Sequence, residues 1–320
     1  MGLVGGALTT WFSWRMIFFI NIPVGIICLS MIYWVFPNVK TENKAHRFDL
    51  WGFLLLGGAM ALLLFTVDII IDRQTSGLMK LAIFMVSVLM FVVYIRHALA
   101  KKEQAIVHLN IFKNRCFRYL LIISTSVRLG MTGTMFLFPL YLQMKQGFTA
   151  LDSGLFLLFY IIPAIVVKRL ARPMLGRLHY YRFFMLLLTI MLISCLLCAY
   201  VFSHFFWLYF AVVLAMMGFL FGCFTIVTNA GIYNAIEQDN HMGPATVLNS
   251  MTIQLSGAFG VAWVAVVLAL VSGIGVIAPD ASITVPAFGD VMLICAGFIV
   301  MTLLYVYMRK PQNISTLAIN

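Results

Sequence analysis

Nine stretches of the chain are apolar for long enough to cross a bilayer, and most polar positions fall between them. The runs cover about 16–36, 50–71, 78–98, 118–142, 152–170, 183–203, 206–229, 251–273 and 288–308. A membrane helix needs about 20 predominantly apolar residues, and each run is close to that length. Barrel strands would instead alternate apolar and polar positions over about ten residues. The intervals between runs are short, so consecutive helices are predicted to be antiparallel neighbours. The pattern predicts an all-α polytopic membrane protein with about nine transmembrane helices.

Composition agrees with this reading. Of 320 residues, 63% are hydrophobic and 10% are charged, against about a quarter charged in soluble domains. A soluble globular protein and a disordered tail are excluded. The net charge of +11 would suggest nucleic acid in a soluble chain. Here no basic run is interleaved with the stacking aromatics a single-strand binder needs, so no nucleic-acid partner is expected.

The charges instead orient the chain. One set of alternate loops holds Lys40, Lys44 and Arg47, then the cluster from Arg96 to Arg118, then the cluster from Lys168 to Arg182, and finally Arg309 and Lys310. The other set holds only Arg15, Arg73, Lys80 and Lys145. Lys and Arg collect on the cytoplasmic side, which places the C-terminus in the cytoplasm. The loop 230–250 belongs to the cytoplasmic set but carries only Glu237 and Asp239.

Candidate chemistry is sparse. The six cysteines read as small apolar packers, and no His, Cys and carboxylate cluster has zinc-ligand spacing. No cofactor, metal site or enzyme constellation is expected. Arg128 is the sharpest feature. It lies ten residues past Arg118, about 15 Å into its helix, where a charge must face protein or water. Ser124, Arg128 and Thr132 form one polar stripe at i, i+4 and i+8. The functional reading is a substrate-pathway or coupling charge, and the bland reading is a packing arginine paired to a carbonyl or carboxylate. Thr225 and Asn229, one turn apart, and Gln254 either line a cavity or hydrogen-bond across helices. Asp68, one turn inside its helix end, is the carboxylate nearest a span centre and reads as interfacial. Gly218-x-x-x-Gly222 and Ser256-x-x-x-Gly260 have the spacing for close helix contact. Pro139 and Pro163 interrupt their spans, with Pro139 alternatively marking the outer end of its own.

Several motifs resemble one family. Gly5-Gly6, Trp14-Arg15, Phe18 and Ile20-Asn21-Ile22-Pro23-Val24-Gly25 resemble the region joining the fifth and sixth helices of the 14-helix drug:proton antiporters, the EmrB/QacA branch of the major facilitator superfamily. Phe138-Pro139-Leu140-Tyr141-Leu142-Gln143, with Gly147, Ala150, Ser153 and Gly154, resembles a second family stretch. Gly176-Arg177-Leu178 resembles the family's basic loop, without its following aspartate. Gly243, Ala245, Asn249, Gln254-Leu255, Gly257 and Gly260 resemble a fourth. The four occur in the family's order and cover essentially the whole chain.

The resemblance implies a partial major facilitator fold, entered at the fifth helix. Residues 1–36 would end the N-terminal bundle, 37–117 would hold the inserted helix pair and central cytoplasmic loop, 118–310 a six-helix C-terminal bundle, and 311–320 a cytoplasmic tail. It implies alternating-access efflux of amphipathic toxic compounds against protons at a bacterial inner membrane. The partners implied are lipid bilayer, substrate and protons, with a periplasmic adaptor protein and an outer-membrane channel in some members. A rival expectation is a non-transporting remnant or half of a split transporter, because rocking needs two bundles. Pathway candidates are Arg128, Ser124, Thr132, Gln143, Thr225, Asn229 and Gln254. Structural motif residues are Gly5, Gly6, Trp14, Arg15, Asn21, Pro23, Gly25, Gly176, Arg177, Gly243, Asn249, Gly257 and Gly260.

Overall fold

The computed structural model describes residues 15–35, 49–71, 75–101, 109–175, 180–236, 242–272 and 285–309. Among them the regular elements are helices, with no strand. They are α1 (Met16–Phe19), α2 (Asn21–Val35), α3 (Leu50–Ile71), α4 (Gly77–Lys101), a 3₁₀ turn (Leu109–Lys113), α5 (Arg115–Met144), α6 (Ala150–Leu175), α7 (Tyr180–Ser203), α8 (Trp207–Asn234), α9 (Met242–Ser272) and α10 (Val285–Arg309). Every predicted run finds its helix. Seven of these helices are long and apolar enough to cross a membrane, and Asn21–Val35 and Leu50–Thr66 are shorter apolar helices.

Boundaries differ from the apolar runs because backbone hydrogen bonding continues past the last apolar side chain. α8 runs to Asn234 and α9 begins at Met242, so most of the expected 230–250 loop is helical, including Gly243 and Asn249. α5 passes through Pro139 to Met144, so that proline does not end the span. α6 is likewise continuous through Pro163.

The chain divides into two compact units, one formed by 1–47 and 138–158, the other by 48–137 and 159–320. In the first, Arg15 is exposed just before α1, and Asn21 opens α2. Pro23 stands in that helix's first turn, where its missing N–H is not needed. α2 has no buried residue. The link between α5 and α6 turns at Gly147, whose φ of 69° suits a residue without Cβ. α6 then starts in a capping box. The Asp152 N–H donates to Thr149 Oγ1 at 3.1 Å, and the Thr149 N–H and hydroxyl donate to Asp152 Oδ2 at 3.3 and 2.7 Å.

In the second unit, α3 and α4 pack as a hairpin. Ser87 Oγ donates to the Ala59 carbonyl at 2.8 Å across it. α7 packs on α8 and α10, and α9 on α3 and α10. Small residues set the close crossings: a Cβ on Gly218 would strike the Tyr160 carbonyl, and one on Gly222 would meet the Ala164 carbonyl at 2.9 Å. On the other side of the bundle, a Cβ on Gly260 would meet the Leu129 carbonyl at 2.9 Å. These three glycines bring α8 onto α6 and α9 onto α5, the role their spacing predicts. The core is aromatic and aliphatic. Phe117, Leu120, Val127 and Met131 on one face of α5 are fully buried, as are Phe210 and Phe224 of α8.

Candidate functional site

α5 carries the polar stripe that its sequence predicts. Arg128 stands thirteen residues past the helix start at Arg115, about 20 Å along the axis, and is 5% exposed. Its Nε donates to Ser124 Oγ at 3.0 Å, one turn back. Thr132 Oγ1 donates to the Arg128 carbonyl at 2.7 Å, one turn on. The guanidinium carbon lies 6.0 Å from the centroid of the Phe221 ring on α8. That distance suits a cation–π contact. Nη2 is buried and has no hydrogen-bond partner among the described residues.

Other positions of α5 are tied to α9 and α10 by ordinary bonds. Trp263 Nε1 donates to the Leu129 carbonyl at 3.0 Å, and Thr302 Oγ1 to Ser126 Oγ at 2.8 Å. At the helix start, Asn114 caps α5 by accepting from the N–H groups of Cys116 and Phe117 at 3.0 and 3.1 Å. Its Nδ2 donates to the Ala235 carbonyl beyond α8 at 2.8 Å. These bonds fix the rotation of α5 and so the direction of its polar stripe.

A second polar group joins α8 to α9. Asn249 Nδ2 donates to Asn229 Oδ1 at 3.2 Å and to the Tyr233 hydroxyl at 3.3 Å. Asn249 is buried, while Thr225 and Asn229 are half-buried. Phe221, Thr225 and Asn229 follow one another at four-residue spacing, so α8 offers one face that begins at the ring beside Arg128.

The structure thus brings Ser124, Arg128 and Thr132 together, and Asn229 with Asn249. Gln254 is exposed on α9, and Gln143 is exposed in the last turn of α5. Gly257 lies against Thr132, 3.8 Å from Cγ2 to an added Cβ, whereas Gly25 and Gly243 face open space. Gly5, Gly6, Trp14, Gly176 and Arg177 lie outside the described residues, as does the side chain of Asp68. A cleft of about 450 Å³ opens between α5, α9 and α10. Phe259, Trp263 and Phe298 wall it, and Thr125, Thr252 and Ser256 also line it. The three hydroxyls donate to carbonyls of their own helices, so the cleft is apolar.

One ionic cluster was not singled out from sequence. Asp49 precedes α3, and its side chain is 1% exposed. Its Oδ1 accepts from the Gly52 N–H at 3.2 Å, from His97 Nε2 at 2.9 Å and from Lys101 Nζ at 2.9 Å. Burial pushes the carboxyl up, but the bonds from Lys101, His97 and Gly52 outweigh it and hold Asp49 below its ordinary value. An acidic residue directly before an apolar run is an N-cap signal, and His97 and Lys101 stand at i and i+4. Those were the available cues. Phe221 was also missed, since an isolated phenylalanine in an apolar span carries no signal.

Among known proteins, the sequence model of the Major Facilitator Superfamily matches residues 1–261. The chain is 30% identical to an Escherichia coli O157:H7 (strain EC4115 / EHEC) protein named as multidrug resistance protein MdtD, over 97% of the chain and 64% of that protein. It is 29% identical to the protein of the same name in Pectobacterium carotovorum, over 84% of the chain and 57% of the relative. For the Yersinia enterocolitica protein of that name the figures are 29%, 98% and 66%. The chain therefore spans less than two thirds of the length of these relatives.

Proposed function

The chain belongs to the major facilitator superfamily, and we propose that it forms part of a secondary transporter of the bacterial inner membrane that expels amphipathic toxic compounds in exchange for protons. The observation that carries the proposal is Arg128. A charge held halfway along a membrane helix, with a donor unused among the described residues, is what a substrate or ion pathway retains and a packing residue does not. The relatives' names support the drug-efflux part, and the four motifs support the EmrB/QacA branch. In this reading α2 ends the N-terminal bundle, α3 and α4 are the inserted pair, and α5 to α10 are the C-terminal six-helix bundle. The bundles rock about a midplane cavity, whose C-terminal wall is the Ser124–Arg128–Thr132 stripe with Thr225 and Asn229. A periplasmic adaptor and an outer-membrane channel are further proposed partners.

The test is dye efflux from membrane vesicles with a panel of amphipathic dyes of both charges. Efflux should follow an imposed proton gradient and stop when an ionophore dissipates it. If no dye moves from vesicles that hold the chain together with whatever its gene neighbourhood encodes upstream, the transporter reading falls.

The second reading is a non-transporting remnant or one half of a split transporter, and experiment separates it from the first. An upstream frame encoding five further helices would restore the first. Proton-coupled efflux by these 320 residues alone would remove the second.

A further inference from the structure

Building on the transporter reading of this stripe, we propose that Arg128 recognises anions, and that the cargo is an amphipathic organic anion with a carboxylate close to an aromatic ring. Three observations converge on this. A guanidinium has five N–H donors. Nε uses one on Ser124, and Nη2 is buried without a partner among the described residues. A buried charged donor left unmatched is strongly unfavourable, and a carboxylate is the group whose two oxygens fit the guanidinium fork.

The second observation concerns where the acidic side chains are. Asp49 is held by Lys101 and His97, Asp152 is bound within its own capping box, and Asp290 is exposed near the start of α10. No described carboxylate is bonded to Arg128. A fixed positive charge in a region of low dielectric attracts an anion and repels a cation far more strongly than it would in water.

The third observation is Phe221. Its ring stands 6.0 Å from the guanidinium carbon and is half-buried, and Thr225 and Asn229 continue the same face. A ligand whose carboxylate meets Arg128 can place an aromatic group on this face and a polar edge against the hydroxyl and amide beyond. A lipophilic cation would find the ring but also the guanidinium charge.

The full chain in phosphatidylcholine nanodiscs provides the test, with binding read by fluorescence anisotropy. Fluorescein, a carboxylate anion, is compared with rhodamine 6G, an esterified cation on the same three-ring frame. Fluorescein should bind about tenfold tighter or more. Arg128→Gln should remove that preference, and Arg128→Lys should keep part of it, since lysine retains the charge but not the fork. Equal or tighter binding of rhodamine 6G to the unaltered chain overturns the proposal and needs no variant. So does fluorescein affinity unchanged in both Arg128→Gln and Arg128→Lys. Adding phosphatidylglycerol should leave fluorescein binding intact. Its loss would assign Arg128 to a lipid phosphate and overturn the cargo class. Rhodamine efflux without fluorescein binding would leave the transporter reading standing and remove this inference. Fluorescein binding with no dye transported would remove the transporter reading and the cargo assignment with it, leaving only anion recognition by Arg128.

Discussion

Asp49 and Arg128 are both buried charges, and the protein treats them in opposite ways. Asp49 sits at a helix end with its carboxylate filled. It receives a backbone N–H, an imidazole and an ammonium, and two of these come from successive turns of α4. Arg128 sits thirteen residues into α5 with one hydroxyl, one ring and an unmatched nitrogen. Burial alone therefore does not distinguish the two charges; how completely each is satisfied does. A saturated charge fastens α3 to α4. An unsaturated one, on the proposed reading, is kept for a ligand.

The largest expected effect tests the saturated side. Asp49→Ala leaves the Gly52 N–H without its cap, and the Lys101 ammonium and the His97 imidazole without their acceptor. It should lower stability by roughly 1.5–3 kcal/mol, read as a lower denaturation midpoint in detergent, with transport per folded molecule unchanged. A variant of normal stability that has lost transport would break the comparison. Arg128→Met tests the other side and should do the opposite. Replacing an incompletely satisfied buried charge by an apolar side chain of similar length should leave stability level or raise it by about 1 kcal/mol, while anion binding is lost. A fall of the Asp49→Ala size would mean that Arg128 is a packing residue after all. Ser124→Ala is a smaller perturbation. It removes one acceptor from a charged donor and should lower stability by about 1 kcal/mol, with anion affinity changed less than about threefold because the outer nitrogens of the fork remain.

Much of this was legible in the chain, but unevenly. Helix positions follow from apolar runs because the bilayer imposes length and composition together. The Gly218 and Gly260 crossings follow from small-residue spacing, and the Ser124–Arg128–Thr132 stripe from helical periodicity. The Asp49 cluster was not anticipated, because forty-eight residues separate Asp49 from His97 and only the hairpin brings them together. Asn229 was anticipated as a pathway or cross-helix residue, but Asn249 only as a motif residue of the expected 230–250 loop. Their bond depends on α8 and α9 extending to Asn234 and Met242, past the last residues that hydropathy marks. Phe221 could not be distinguished from other phenylalanines until α8 was oriented by its packing.

The smallest expected effect is the acid dependence of the Asp49 latch, and its sign is fixed by the direction of the shift. The carboxyl is held below its ordinary value of 3.8 in the folded chain. Its ionised form is therefore favoured by folding, and the stability it contributes is present above 3.8 and lost as pH falls through the lower folded value. Protonation turns one oxygen into a donor and leaves the Lys101 ammonium facing a neutral acid. The neutral carboxyl still fills its space and can still accept from Gly52, so the loss should be smaller than in Asp49→Ala. Unfolding midpoints measured from pH 5 downward should fall for the unaltered chain and for Arg128→Met in parallel. The Asp49→Ala profile should be flatter over the same window, so that the difference between it and the unaltered chain shrinks as the medium becomes more acid. If Asp49→Ala keeps the full acid loss, another group is responsible and Asp49 is not the saturated charge that holds α3 to α4. If Arg128→Met alone flattens the profile, the acid-sensitive partner belongs to Arg128. That arginine would then be paired within the protein rather than free for cargo.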